Sequence, residues 1–185
     1  MSTVHGTVTL AVPAGPMDHS TGPDHAPVTL VEYGDFECPT CAAVEPAVRQ
    51  LRERYPVDMR FVFRHFPLED AHPHALLAAA AAEAAAAQGQ FWPMHDRLIA
   101  HPTHLKRSDL DRHAAALGLD TARFAAELND DIYLQRIREH QDGGRRSHLR
   151  ATPTFFVNGV VQDVSGGMEA LFQRVAAAIK AAHAR

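Results

Sequence analysis

Cysteine is scarce in this chain of 185 residues, which contains two in all, Cys38 and Cys41. A structural disulfide framework of the kind found in small secreted domains needs several cysteine pairs, so the sequence excludes one. Because the two thiols are close neighbours in the chain, any cysteine chemistry takes place at a single position.

The chain also lacks a strong charge imbalance and a long apolar run. Its 18 basic and 22 acidic residues give a formal net charge of −4, without a basic stripe, so nucleic acid is not an expected partner. No apolar run approaches the roughly 20 residues that span a bilayer. No basic segment followed by an apolar one opens the chain, so the sequence predicts a cytoplasmic protein, or an extracytoplasmic one if a leader has been removed.

Two regions of mixed strand and helix character flank a helical region. Residues 28–66 have the pattern strand–helix–strand, and residues 150–185 have the pattern strand–strand–helix. Residues 67–149 are rich in alanine and poor in β-branched residues, which predicts helices. We therefore predict an α/β domain formed by 28–66 and 150–185, a helical insertion at 67–149, and an N-terminal segment at 1–27.

Turn and cap residues predict the element boundaries. The predicted strands are 28–33, 59–66, 154–157 and 160–164, with a hairpin turn at Asn158-Gly159. The predicted helices are one from near Cys38 to about 55, then 75–88, 91–100, 108–117 with Ser108 as N-cap, a short one from 120 or 121, 132–140, and a last one with Leu171, Val175 and Ile179 on one face. In the N-terminal segment, 7–12 alternate weakly as an edge strand does, and 13–27 predict a loop.

The cysteine pair lies where the first predicted strand ends and a helix begins. Pro39 suits the first helical position, where a missing N–H costs nothing. Cys38 then faces free backbone N–H groups and the positive end of the helix dipole, which favour the thiolate. Cys41 follows one turn later on the same face, within reach of a disulfide. We expect Cys38 to attack and Cys41 to resolve the mixed disulfide.

A zinc site is the main alternative for cysteines at this spacing. Such a site needs two further ligands, and the chain has no second C-x-x-C motif. His72 and His74 are the nearest candidate pair among 13 histidines. Redox chemistry is the preferred interpretation, because the pair stands at a strand–helix junction.

Pro153 precedes the strand at 154–157 and is the second notable feature. Proline removes a donor from a sheet ladder and is tolerated at the first residue of a strand. An ordinary trans proline is one interpretation. Together with the cysteine motif, a cis bond that turns the chain sharply becomes the preferred one.

The chain resembles the DsbA-like thiol:disulfide oxidoreductase family of the thioredoxin superfamily. Four segments carry the resemblance in the family's order: VTLVEYGDFECPTC at 28–41, RHFPL at 64–68, GQFWPMH at 89–95 and TPTFFVNG at 152–159. The resemblance implies an α/β, thioredoxin-like fold with an inserted helical subdomain. It also implies exchange of disulfides with protein thiols and a further redox partner, with no cofactor besides the redox-active cysteine pair.

The resemblance further implies roles for individual residues. Pro153 would be cis and lie against the cysteines, and Thr152 would hold a substrate strand beside the sulfurs. Glu32 matches a buried acid that helps proton transfer at Cys41, and a solvent-facing strand residue is its alternative. Further predicted substrate contacts are Pro39, Thr40 and Phe36, with core packing an equal alternative for Phe36.

Thr40 stands where the best-known members of the family have histidine between the cysteines. Threonine supplies a hydroxyl and no charge, so we expect a redox potential between the values of about −270 mV for thioredoxin and about −120 mV for DsbA. A glutathione-dependent transferase or isomerase of the same fold is an alternative, which Cys41 disfavours because such members typically lack the second cysteine. A non-enzymatic metal-binding module is the other alternative.

Overall fold

The computed structural model describes residues 8–184, and a five-stranded sheet forms its centre. The strands are β1 (His19–Thr21), β2 (Val28–Gly34), β3 (Met59–His65), β4 (Thr154–Val157) and β5 (Val160–Gln162). Their order across the sheet is β1-β3-β2-β4-β5. β2 and β3 are parallel and the other neighbours antiparallel. β2 is therefore the central strand, which explains its nearly continuous apolar sequence.

Helices cover the sheet and fill the chain between β3 and β4. They are α1 (Pro39–Arg54), α2 (Ala75–Ala86), α3 (Phe91–Ala100), α4 (Arg107–Ala116), α5 (Thr121–Asn129), α6 (Leu134–Arg146) and α7 (Glu169–His183). α7 buries the predicted stripe of Leu171, Val175 and Ile179. Within residues 8–184, no helix has both the length and the apolar character needed to cross a membrane.

The N-terminal segment differs from its prediction. Residues 13–27, predicted as a loop, contain β1, which pairs antiparallel with β3. Arg64 on β3 fixes this segment through two 2.8 Å contacts with the Asp18 carboxylate. This interaction is tertiary, so the three residues of β1 do not predict the strand by themselves. The strand predicted over 7–12 reduces, in the part that the structure describes, to one bridge between Thr9 and Val160, and Thr7 lies outside the described residues.

Most helix boundaries lie within two residues of their predictions, and two of the differences have a visible cause. Ser108 lies inside α4, whose N-cap is Lys106, because the Asp109 carboxylate accepts the Lys106 backbone N–H and so replaces a serine cap. α6 continues past residue 140 through Gly143 and Gly144. A side-chain carbon at Gly144 would lie 2.5 Å from the Phe66 ring, so this glycine permits close packing rather than ending the helix.

A buried ionic cluster joins the helices to the sheet. Glu83 Oε1 lies 2.9 Å from Nε2 of His19, Nε2 of His65 and Nε of Arg136. Burial would raise the pKa of Glu83, but hydrogen bonds from the two histidines outweigh it and hold that pKa well below its usual range. His140 stacks on His65 with ring centroids 5.6 Å apart. The pKa of His140 is lowered to about 3, chiefly because the side chain is buried.

We expect this cluster to make the free energy of unfolding decrease on acidification. In the unfolded chain His140 binds a proton as the pH falls below its ordinary pKa of 6.5. In the folded protein it stays neutral until the pH falls to its pKa of about 3. Glu83 has a depressed pKa, so its contribution is lost at lower pH, below its ordinary value of 4.5. The urea midpoint should therefore fall progressively below about pH 6.5.

The matched variant is His140→Asn, whose Oδ1 can replace Nδ1 as acceptor for the His65 backbone N–H. Its urea midpoint should fall less than that of the wild type between about pH 6.5 and 4.5. Equal falls in the two proteins would show that His140 does not drive this acid sensitivity.

Candidate functional site

Cys38 is the N-cap of α1, and Cys41 lies in the first turn of that helix. The Cys38 backbone N–H donates to the Asp35 carbonyl at 3.1 Å, which fixes the entry of the chain into the helix. Cys38 is 5% exposed and Cys41 1%, whereas the intervening Pro39 and Thr40 are exposed. The Cys38 sulfur therefore lies just below the surface, and the Cys41 sulfur lies deeper.

The two thiols differ strongly in acidity. Hydrogen bonds from the Cys41 thiol and from the backbone N–H groups of Cys41 and Thr40 lower the pKa of Cys38 to about 5, although burial opposes this. The hydrogen bond with Cys38, together with burial, raises the pKa of Cys41 far above its usual range. At neutral pH the thiolate therefore resides on Cys38 and Cys41 stays protonated.

The segment before β4 lies against Cys38. The Thr152–Pro153 peptide bond is cis, and the Cys38 thiol donates to the Thr152 carbonyl oxygen at 3.4 Å. Thr152 is buried and Pro153 is half-buried. The structure thus brings Thr152 to Cys38 from a distant part of the sequence, with the cis Pro153 next in the chain.

Glu32 is buried on the central strand, with 2% of its surface exposed. Among the described residues its Oε2 has no hydrogen-bond partner. Burial raises the pKa of Glu32 well above its usual range, and the negative charges of Glu45 and Cys38 add to this, while Arg52 opposes it. The charge of Glu32 in turn raises the pKa of Cys41. The solvent-facing alternative is therefore wrong, and Glu32 is a buried acid.

Phe36 does not reach the surface. Its side chain is buried, and its ring centroid lies 5.3 Å from that of Phe63 and 5.6 Å from that of His95. This position follows the core alternative and corrects the prediction of a substrate contact at Phe36.

Two acid–histidine pairs, absent from the predicted site, join the loop before α1 to the loop before α2. The Asp35 carboxylate lies 2.7 Å from His72 Nδ1, and the Glu37 carboxylate lies 2.8 Å from His74 Nδ1. The matching spacing of Asp35-x-Glu37 and His72-x-His74 was the available signal. The sequence offered these histidines as candidate zinc ligands, whereas in the structure each one pairs with a carboxylate.

Possible metal-ligand groups occur elsewhere in residues 8–184. They are His19, His65 and Glu83, and Glu45, His95 and Asp96. Neither of these groups includes a cysteine.

We expect an alkylating reagent to label Cys38 faster than Cys41 across the acidic and neutral range. The rate at Cys38 should titrate with a midpoint near its pKa of about 5, because only the thiolate reacts. Mass mapping of protein alkylated at graded pH gives both rates, and preferential labelling of Cys41 would refute the assignment of the nucleophile.

The sequence matches known proteins along most of its length. A family model described as thioredoxin matches residues 15–176. The chain is 49% identical over 181 residues to Na(+)/H(+) antiporter NhaA 3 of Salinispora tropica, and 50% identical over 174 residues to Na(+)/H(+) antiporter NhaA 1 of Salinispora arenicola. These matches cover 97% and 94% of this chain but 28% and 26% of the antiporters. The chain therefore spans about a quarter of the length of these curated relatives.

Solved structures share the fold. Oxidised BdbD from Bacillus subtilis superposes with a TM-score of 0.83 at 22% identity, covering 94% of this chain and 98% of that one. Alpha-DsbA1 from Wolbachia pipientis gives 0.80 at 20% identity, with 92% and 95% covered. These likenesses show the thioredoxin-like α/β fold that the sequence predicts. The family match over residues 15–176 establishes that the chain belongs to the thioredoxin family.

Proposed function

We propose that this protein is a thiol–disulfide oxidoreductase that exchanges disulfides with protein thiols through Cys38 and Cys41. The observation that carries the proposal is the unequal acidity of the two sulfurs. Cys38, at the start of α1, has a pKa of about 5, and the buried Cys41 has a raised pKa. Cys38 is therefore both an available nucleophile and a good leaving group, and Cys41 remains protonated until it is needed.

Oxidation of a substrate begins with a disulfide between Cys38 and Cys41. A substrate thiolate attacks Cys38 Sγ, so a substrate–Cys38 bond forms, the Cys38–Cys41 bond breaks, and Cys41 leaves with the electron pair and takes up a proton. A second substrate thiolate then attacks the substrate sulfur of this mixed disulfide, and Cys38 leaves as a thiolate. The substrate loses two electrons and the cysteine pair gains two. The reverse sequence reduces a substrate disulfide.

Glu32 is the proposed proton carrier for Cys41. When Cys41 leaves, it needs a proton, and when it attacks a mixed disulfide in the reverse direction, it must first lose one. Both sulfur and carboxyl are buried, so a carboxyl with a raised pKa that holds or accepts that proton replaces solvent.

Thr152 is the proposed contact for the substrate backbone. Its carbonyl oxygen lies 3.4 Å from the Cys38 sulfur. When Cys38 is a thiolate it no longer donates to this oxygen, and a substrate strand can donate a backbone N–H to it instead. Pro39 and Thr40 are exposed next to Cys38 and are the proposed side-chain contacts.

The test uses the whole protein in two assays. It should reduce insulin with a thiol as electron donor, and it should oxidise a reduced, unfolded dithiol protein with oxidised glutathione as acceptor. Folded protein that is inactive in both assays would refute the proposal. Conjugation of glutathione without disulfide exchange would instead support the transferase alternative, and stoichiometric zinc bound by the cysteines would support the metal-binding module.

The antiporter relatives favour a second candidate, redox control of a Na(+)/H(+) antiporter. In those relatives a region 49% or 50% identical to this chain makes up about a quarter of the protein. We infer that the oxidised and reduced forms of this chain act differently on such a transporter. Antiport rates in vesicles should differ when the oxidised or the reduced protein is added, and equal rates would reject this candidate.

A further inference from the structure

The loop between β3 and α2 packs on the loop that leads to the nucleophile, and Asp35 is the centre of this contact. The buried Asp35 Oδ1 accepts the Glu37 backbone N–H at 2.8 Å. Its Oδ2 accepts the Leu68 backbone N–H at 2.9 Å and lies 2.7 Å from His72 Nδ1. Because the Asp35 carbonyl also receives the Cys38 N–H, one residue ties His72 to the N-cap of α1.

The Asp35–His72 contact determines which nitrogen titrates. A carboxylate only accepts hydrogen bonds, so Nδ1 of His72 donates and keeps its proton. Nε2 is therefore the nitrogen that binds and releases a proton. The side chain is 17% exposed, so this proton can exchange with solvent. His72 is therefore a cation when Nε2 is protonated and a neutral donor to Asp35 when it is not.

We propose that protonated His72, anchored on Asp35, acts as a positioning residue that supplies the positive charge favouring the Cys38 thiolate and so the reduced state of the pair. This inference rests on the proposed function. Thr40 between the cysteines carries no charge, and the hydrogen bonds that fix His72 place its ring on the loop that enters α1.

The charges around His72 agree with this role. Burial lowers the pKa of His72, but the hydrogen bond and charge of Asp35, together with the charges of Cys38 and Glu37, raise it above its usual value. The attraction between the Cys38 thiolate and His72 is mutual, so the same charge pair that favours the imidazolium favours the thiolate. The charged groups that act on His72 are Asp35 and Glu37 on the loop before α1 and Cys38 at its start.

A charge that titrates makes the effect depend on pH. His72 has a raised pKa, so its positive charge is fully present in acid and disappears as the pH rises through that pKa. Stabilisation of the reduced pair by His72 should therefore be greatest between the pKa of Cys38, about 5, and the raised pKa of His72, where thiolate and imidazolium coexist, and it should vanish in alkaline solution.

His74 offers a matched control. It lies on the same loop and forms the same type of pair, with Nδ1 2.8 Å from Glu37 Oε1 and its backbone N–H donating to Glu37 Oε2 at 2.6 Å. Its side chain is 35% exposed, twice as much as that of His72. A charge at position 74 should be better screened by solvent from the sulfur.

The experiment measures the titration of Cys38, by alkylation rate and by the ultraviolet absorbance of the thiolate, in the wild type, His72→Asn and His74→Asn. The amide introduced by His72→Asn can still donate to Asp35 but carries no charge. We expect the pKa of Cys38 to rise by about one unit in H72N, so that alkylation near pH 5 slows about fivefold. H74N should titrate like the wild type. A wild-type titration in H72N, or an equal shift in H74N, would overturn the proposal.

A charge-retaining variant, His72→Lys, provides the second arm and stands alone if H72N does not fold. The equilibrium of the pair with glutathione should match the wild type in acid and lie further toward the reduced pair than the wild type in alkali, because lysine stays protonated there. An equilibrium that follows the wild type at alkaline pH would also overturn the proposal. The alkylation arm needs no disulfide exchange, so its result is separate from success or failure of the proposed function.

Discussion

Replacing Cys38 with serine should lower insulin reduction by more than about a thousandfold, because the variant loses the nucleophile on which both steps of exchange depend. A serine hydroxyl is not ionised at neutral pH and cannot form the mixed disulfide. The fold should persist, because serine is close in size to cysteine and its hydroxyl can donate to the Thr152 carbonyl oxygen, which lies 3.4 Å from the Cys38 sulfur.

Cys41→Ser is the matched control, because it keeps the reactive thiolate and removes the resolving sulfur. This variant should accumulate a covalent adduct with a disulfide substrate, visible on a non-reducing gel and by intact mass. Activity retained in C38S, or a C41S protein that forms no adduct, would contradict the assignment of the two roles.

Replacing Glu32 with glutamine should slow resolution of the mixed disulfide by about a hundredfold, the scale of a lost general acid–base group. The affected step is attack by Cys41, whose raised pKa makes loss of its proton limiting. Rapid quenching of a single turnover separates this step from the initial attack by Cys38, which should stay within about threefold of the wild-type rate because Glu32 acts on it only through charge.

The same variant should raise the free energy of unfolding at neutral pH. A carboxyl whose pKa is raised by folding resists ionisation in the native state, so the fold loses stability as the pH rises above the ordinary value of 4.5. Glutamine removes this penalty, and the gain in the urea midpoint should shrink as the pH approaches 4.5. Glu45→Gln is the control, because Glu45 is also a buried acid but lies on α1. It should stabilise the fold and have a smaller effect on the rate at which Cys41 resolves the mixed disulfide. Equal slowing in both variants would argue against a specific proton transfer by Glu32.

Local sequence patterns were sufficient for the elements that carry the cysteines. Apolar β-branched residues predict β2, and a proline after Cys38 predicts the helix start, because both signals act within a few residues. The stripe of Leu171, Val175 and Ile179 predicts the buried face of α7 for the same reason.

Features that depend on distant contacts could not be predicted in this way. β1 has three residues with no alternating pattern, and it exists because β3 and the Asp18–Arg64 pair hold it. His72 meets Asp35 across 37 residues of the chain. The matching spacing of the two acids and the two histidines was a signal, but it does not show that the two segments meet. Phe36 shows the same limit, since an aromatic residue beside a reactive cysteine suits either a binding surface or a core until its neighbours are known.

The equilibrium of the Cys38–Cys41 pair with glutathione is the most direct measurement of whether these sulfurs form a working redox couple. We predict one reversible two-electron transition with a midpoint between about −270 mV and −120 mV, with an internal disulfide in the oxidised protein confirmed by mass. A protein that only acquires glutathione on one cysteine, or a pair that shows no reversible transition, would contradict it.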